Sequence, residues 1–248
     1  KLFSFPFSNA VITAYVLLMA VHGACVAQVT SSPLDSRFQF KLHDSLSAQD
    51  VAHLKTALHE NYVRIRNMLH LQSLPVITVQ IWADDEYYQQ AMERTLGTRF
   101  PGSRGYVTGE RELRLLYHRR LSAQKEAVHE LVHVASLNVN ADFGNNPRWL
   151  WEAVALYGAQ QFIDPKEVSF MRNGAFPKLQ ELNSGFNTDK NIYYVGYLLV
   201  DYVVANWGSE SVIALIRANG DVDKVLGISE STFEKGWHKY IKEKYFGG

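Results

Sequence analysis

Apolar and polar positions change rhythm several times along the chain, and each rhythm predicts an element. Phe38, Phe40 and Leu42 alternate with polar residues, as in a half-buried strand. Ser47 then reads as the cap of a helix whose apolar positions are Val51, Leu54, Leu58, Val63, Ile65 and Leu69. Pro75 opens a second strand over 76–82, and a short helix is expected over 84–95. A loop punctuated by Gly and Pro, 97–105, leads into two short strands at 106–108 and 112–117. Beyond Ser122 the spacing is helical almost throughout, with helices expected at 122–139, 147–162, 190–206, 209–219 and 229–244. No repeat or low-complexity tract interrupts this order. The expectation is an α+β fold: a small N-terminal mixed sheet with helices, over 37–120, packed on a mainly helical part over 121–248.

Residues 9–27 follow a different rule. They contain no Asp, Glu, Lys or Arg and end in small residues, which reads as a signal peptide over 1–27, cleaved near Ala27. A flexible segment would follow at 28–36, and an exported domain at 37–248. The competing reading is a membrane anchor, because about nineteen apolar residues can just span a bilayer; His22 and Gly23 weigh against it. His22 also stands where a lipoprotein signal before Cys25 wants an aliphatic residue. Cys25 is the lone cysteine, so a chain cleaved at Ala27 forms no disulfide and depends on its core and any bound metal.

Composition narrows the partners. With 248 residues, 47% of them apolar, the chain can bury a sizeable core, and disorder is excluded. Twenty-five Lys and Arg balance twenty-five Asp and Glu, so no global field draws the protein to nucleic acid, and membrane contact is expected only if the N-terminal segment stays as an anchor.

The candidate chemistry lies in the helix at 122–139. His129, Glu130 and His133 form His-Glu-x-x-His within an otherwise apolar run. Two histidines four apart sit one turn apart on one helix face, so both imidazoles can reach one zinc ion. Leu131 and Val132 then point into the core. Glu130 is rotated about 100° from His129, which suits a general base on zinc-bound water better than a ligand. Eighteen residues separate His133 from Glu152, which lies on a helix opened by Pro147. If the loop at 138–146 returns the chain, Glu152 completes three protein ligands and leaves the fourth position for water, as hydrolytic zinc requires.

These residues resemble the gluzincins, and among them the secreted peptidase MA-like families. The likeness covers His129 to His133, the run from Trp149 to Tyr157, a later helix with Tyr193, Tyr194 and Tyr197 ending near Trp207 and Gly208, and a last helix with Phe233 and Trp237. It implies a zincin-like domain with the active-site helix between its two parts. It also implies one zinc ion on His129, His133 and Glu152, Glu130 as catalytic base, and a peptide or protein substrate. Two positions depart from the family. Ala153 replaces a glycine, and Leu156 stands where an acid usually orients a ligand histidine; a substitute is expected at Asn138, Asn140, Asp142 or a backbone carbonyl.

Four further expectations follow. Tyr193 or Tyr194 can donate to an oxyanion or simply pack in the core. Residues 105–108, or the strand after them, can form the edge strand that pairs with an extended peptide, or be an ordinary sheet edge. His118, Arg119 and Arg120 can meet a substrate carboxylate or stay solvated. Trp149 and Trp151 lie about 200° apart on their helix, so one of them belongs to the core. The functional expectation is peptide-bond hydrolysis by an exported zinc peptidase; its rival is a zinc-binding pseudopeptidase that holds a peptide without cutting it.

Overall fold

The computed structural model describes residues 36–118, 122–184 and 191–247. The segment read as a signal peptide, nearly all of the flexible segment after it, and Arg119 and Arg120 lie outside the described residues. Four strands, β1 (Phe38–Leu42), β2 (Ile77–Trp82), β3 (Gly105–Val107) and β4 (Glu112–Leu116), are joined by α1 (Ala52–Met68) and α2 (Asp85–Leu96). The helical part then runs through α3 (Ala123–Val139), α4 (Arg148–Gly158), α5 (Ser169–Arg172), α6 (Leu179–Asn183), α7 (Ile192–Trp207), α8 (Ser209–Arg217), α9 (Val222–Leu226) and α10 (Glu230–Phe246). The fold is α+β.

The sheet has the order β1-β2-β4-β3. β1, β2 and β4 are parallel, with Phe38 beside Ile77 and Val79 beside Leu113. β3 runs antiparallel to β4 at the sheet edge, Tyr106 beside Arg114. Because successive side chains leave a strand on opposite faces, Ile77, Val79, Ile81, Leu113 and Leu115 all join the main core shared with α1 and α3. Trp82, Leu116 and Tyr106 take the other face and pack with Tyr88, Ala91 and Met92 of α2. The helix α3 therefore lies against the sheet and α1 on one side while touching α4 on another.

Local chemistry explains most element ends and corrects several expectations. Ser47 pairs with Asp50, accepting from its backbone N–H at 3.2 Å, and so caps a separate turn; α1 starts at Ala52, after Val51. The buried row of α1 passes through Tyr62, and Val63, one step off that row, is exposed. Asp84 caps α2 by accepting from the Tyr87 N–H at 3.0 Å, and Gly97, at φ 74°, ends it. The helix expected to run to residue 162 stops at Gly158. There the Gln160 N–H reaches the Tyr157 carbonyl and the Gln161 N–H the Leu156 carbonyl, with Gln160 left-handed at φ 55°, which is a Schellman ending on a residue other than glycine. The short helices α5, α6 and α9 were not expected, since four or five residues carry too little periodicity to register. Among the described residues no single helix is long and apolar enough to cross a membrane.

Helices α4 and α7 approach tightly, and a glycine makes this possible. A Cβ on Gly196 would lie 2.6 Å from the Leu156 side chain and 3.0 Å from the Ala153 Cα. Leu156 is accordingly buried against α7. Gly196→Ala is expected to destabilise the fold by about 1–3 kcal/mol through overpacking, read as a lower urea midpoint at unchanged slope.

Candidate metal centre

The site is built where α3 and α4 meet through polar side chains. On α3, the helical repeat puts His129 and His133 one turn apart, their rings 4.6 Å apart and nearly perpendicular. Leu131 and Val132, on the other side of the same turn, are fully buried. From α4, Glu152 meets both imidazoles: its Oε2 lies 3.2 Å from His129 Nε2 and 3.8 Å from His133 Nε2. The three side chains are buried, and one donor atom from each falls within 4.8 Å of the others, a grouping that can hold a metal ion. Nothing in the grouping selects one metal over another.

Burying two imidazoles and a carboxylate together sets their protonation. Burial alone would raise the pKa of Glu152, yet the hydrogen bond from His129 and the close approach of His133 outweigh it and hold the carboxyl well below its usual range. Burial would lower His129, but the bond to Glu152 and the charges of Glu152 and Glu130 leave it raised. His133 is pushed down to about 4, chiefly by burial, with the neighbouring His129 charge acting in the same direction. His129 also faces a second oxygen: its Nδ1 is 2.7 Å from Gln161 Oε1. With acceptors at both ring nitrogens, His129 favours the doubly protonated form, and a metal ion would replace the proton on Nε2.

Glu130, also buried, opens on the same cleft and is pushed up to about 8, first by burial and then by the charges of Glu152 and Glu126, with His129 opposing. A cation held by the three neighbours would draw it back down. Its carboxyl lies against the start of β3, where a Cβ on Gly105 would come within 2.5 Å of Oε1. Only glycine lets the edge strand approach so closely. The cleft measures about 960 Å³ and is bordered by Gly105, Tyr106 and Val107, by Met92 and Phe100, and by Tyr193.

The aromatic expectations separate cleanly. The Trp151 ring stacks on His133 at 3.9 Å and lines the cleft, while Trp149 packs on Phe233 in the core. Tyr193 lies at the site, 6.4 Å from the His129 ring, and its hydroxyl pKa is raised by burial and then by Glu152. Tyr194 faces outward, 46% exposed, beside Phe170. His118 binds Glu126 at 2.6 Å.

None of the expected side-chain substitutes for an acid at Leu156 reaches a ligand histidine. Asn138 bonds the Val134 and Glu110 carbonyls, Asn140 bonds Asn219 and the Ile216 carbonyl, and Asp142 is exposed. Gln161 was not anticipated, because its place depends on where α4 stops. Arg148 was missed as well; it sits one turn before Glu152, with Nη2 3.9 Å from Glu152 Oε1 and the guanidinium 6.0 Å from the Tyr193 ring. No protein-family model matches the chain, and no curated protein is similar to it.

Two outcomes test this centre. A divalent transition-metal ion is expected to raise the thermal unfolding midpoint, since saturation at 100 times Kd stabilises a native state by about 2.7 kcal/mol; in Glu152→Ala the rise should vanish. Metal affinity should also fall by about tenfold per pH unit once the pH drops below the raised pKa of His129, whose proton competes with the ion. Chelator competition between pH 8 and 5 reads this directly.

Proposed function

We propose that this chain is an exported zinc-dependent peptidase of the gluzincin type. The observation that carries the reading is the convergence of His129, His133 and Glu152 beside a cleft that also holds the Glu130 carboxyl. Two imidazoles and one carboxylate suit zinc, which hydrolytic sites bind through three protein ligands with a fourth position open. Bound there, zinc would supply Lewis acidity, polarising a carbonyl oxygen and lowering the pKa of a water molecule to about 7. Export is inferred from the uncharged stretch at 9–27, which reads as a signal peptide.

The chain's own groups do the rest. Glu130, pushed up by burial, would be returned to its carboxylate form by the charge of a cation on the three neighbours, and as the carboxylate it accepts a proton from the attacking water and returns it to the leaving amine. Tyr193 keeps its proton through the neutral range, because both burial and Glu152 oppose ionisation. It can therefore donate to the carbonyl oxygen as negative charge develops there. Among the described residues β3 pairs with β4 on one side only, and its other edge can bond the main chain of an extended peptide. The substrate class is thus a peptide or an unfolded stretch of protein.

Glu130→Gln is expected to keep its metal and lose at least about a hundredfold in peptide hydrolysis, the usual worth of a general base. Tyr193→Phe should lower kcat by about 10²–10³ with little change in KM. Cleavage of a peptide library by the purified chain, with and without chelator, measures both. A Glu130→Gln variant cutting at the parental rate would overturn the mechanism. A parent that binds zinc and peptide without cutting would support the pseudopeptidase.

A further inference from the structure

We infer that Gln161 is the positioning residue of the metal centre, its carboxamide oxygen fixing the ring of His129 so that Nε2 faces the metal. The inference rests on the metal reading above but not on hydrolysis. A metal-bound imidazole keeps its remaining proton on the other nitrogen, and an acceptor there sets both tautomer and ring angle. Gln161 Oε1 supplies that acceptor at 2.7 Å from Nδ1. Among the described residues no carboxylate other than Glu152 bonds this ring.

The backbone is arranged to deliver the amide. Had α4 continued, Gln161, nine residues after Glu152, would project about 180° away from it at 100° per residue. The left-handed Gln160 turns the chain back instead. Two long side chains tie that turn to neighbouring helices: Arg64 of α1 donates to the Gly158 carbonyl at 2.6 Å, and Lys125 of α3 to the Gln160 carbonyl at 3.3 Å. Lys125 lies one turn before His129, so the helix that carries the ligand also anchors the segment that orients it.

The two histidines are held by different means. His133 stacks on Trp151, and its Nδ1 has no hydrogen-bond partner among the described residues. At the nitrogens turned away from Glu152, His129 alone of the two rings has a polar partner among the described residues, Gln161. The support is neutral, whereas a carboxylate at that position would cancel one unit of positive charge. Two neutral imidazoles and one carboxylate leave a divalent ion with a net charge of about +1 when the outer partner is an amide. An ion bound here would be more electrophilic, and held less tightly, than one whose histidine is backed by an acid.

The test uses the full chain and reads zinc affinity by chelator competition, together with the urea midpoint of the chelated protein. Gln161→Ala and Gln161→Leu are expected to lose about 10–100-fold in affinity, the usual effect of removing such a partner, with the chelated midpoint unchanged. Gln161→Glu should match the parent or bind zinc more tightly. Parental affinity in the Ala and Leu variants overturns the assignment. So does a loss that is matched by a lower chelated midpoint and not restored by Glu. A parent that binds no zinc overturns the metal centre and the assignment together. A parent that binds zinc but cuts no peptide fails only as a peptidase, and the affinities then decide Gln161.

Discussion

A carboxylate sealed between two imidazoles is the constraint on which the rest of the site depends. Removing such a group from water costs several kcal/mol unless charge and hydrogen bonds compensate it. Glu152 finds that compensation in His129 and His133, which hold its pKa down against the effect of burial. The contact fixes how α3 and α4 approach each other, and α4 in turn fixes α7 through the bare backbone of Gly196. Core packing and site geometry are thus one problem. The side chains that fill the remaining sides of α3 and α4, such as Leu131, Val132 and Leu156, are almost completely excluded from solvent.

Around that contact the protein supports each group differently. Trp151 provides a flat wall for His133, and Gln161 meets the far nitrogen of His129. Gly105 gives Glu130 room at the edge of the sheet. These are separate devices from separate elements, and they converge because α3 lies between the sheet and the helical part. The edge strand and the cleft it borders follow from the same placement: an antiparallel β3 added to a parallel sheet leaves, among the described residues, one edge unpaired beside the motif helix.

The sequence made the helix periodicity of α3, α4, α7, α8 and α10 legible, along with the alternation of β1 and β2, because long periodic stretches repeat their signal. It was less reliable where one residue decides between adjacent positions. Val63 and Tyr62 are both apolar neighbours, and only packing against the sheet chooses Tyr62. Ser47 carries a capping side chain, but Asp50 captures it first. The overrun of α4 had the largest consequence, since a left-handed glutamine is not a residue that announces a helix end.

By itself the sequence determined which groups share a helix face. His129 and His133 stand one turn apart because the helical repeat requires it, Glu130 stands off their line for the same reason, and the two tryptophans of α4 must part. Spacing along one helix is local geometry, and local geometry is written in the order of residues. Only the tertiary structure decided that Glu152 reaches both rings, that Tyr193 rather than Tyr194 faces them, and that Gln161 meets the far nitrogen of His129. Each of these depends on how separate elements end and pack, which is settled by the whole core at once.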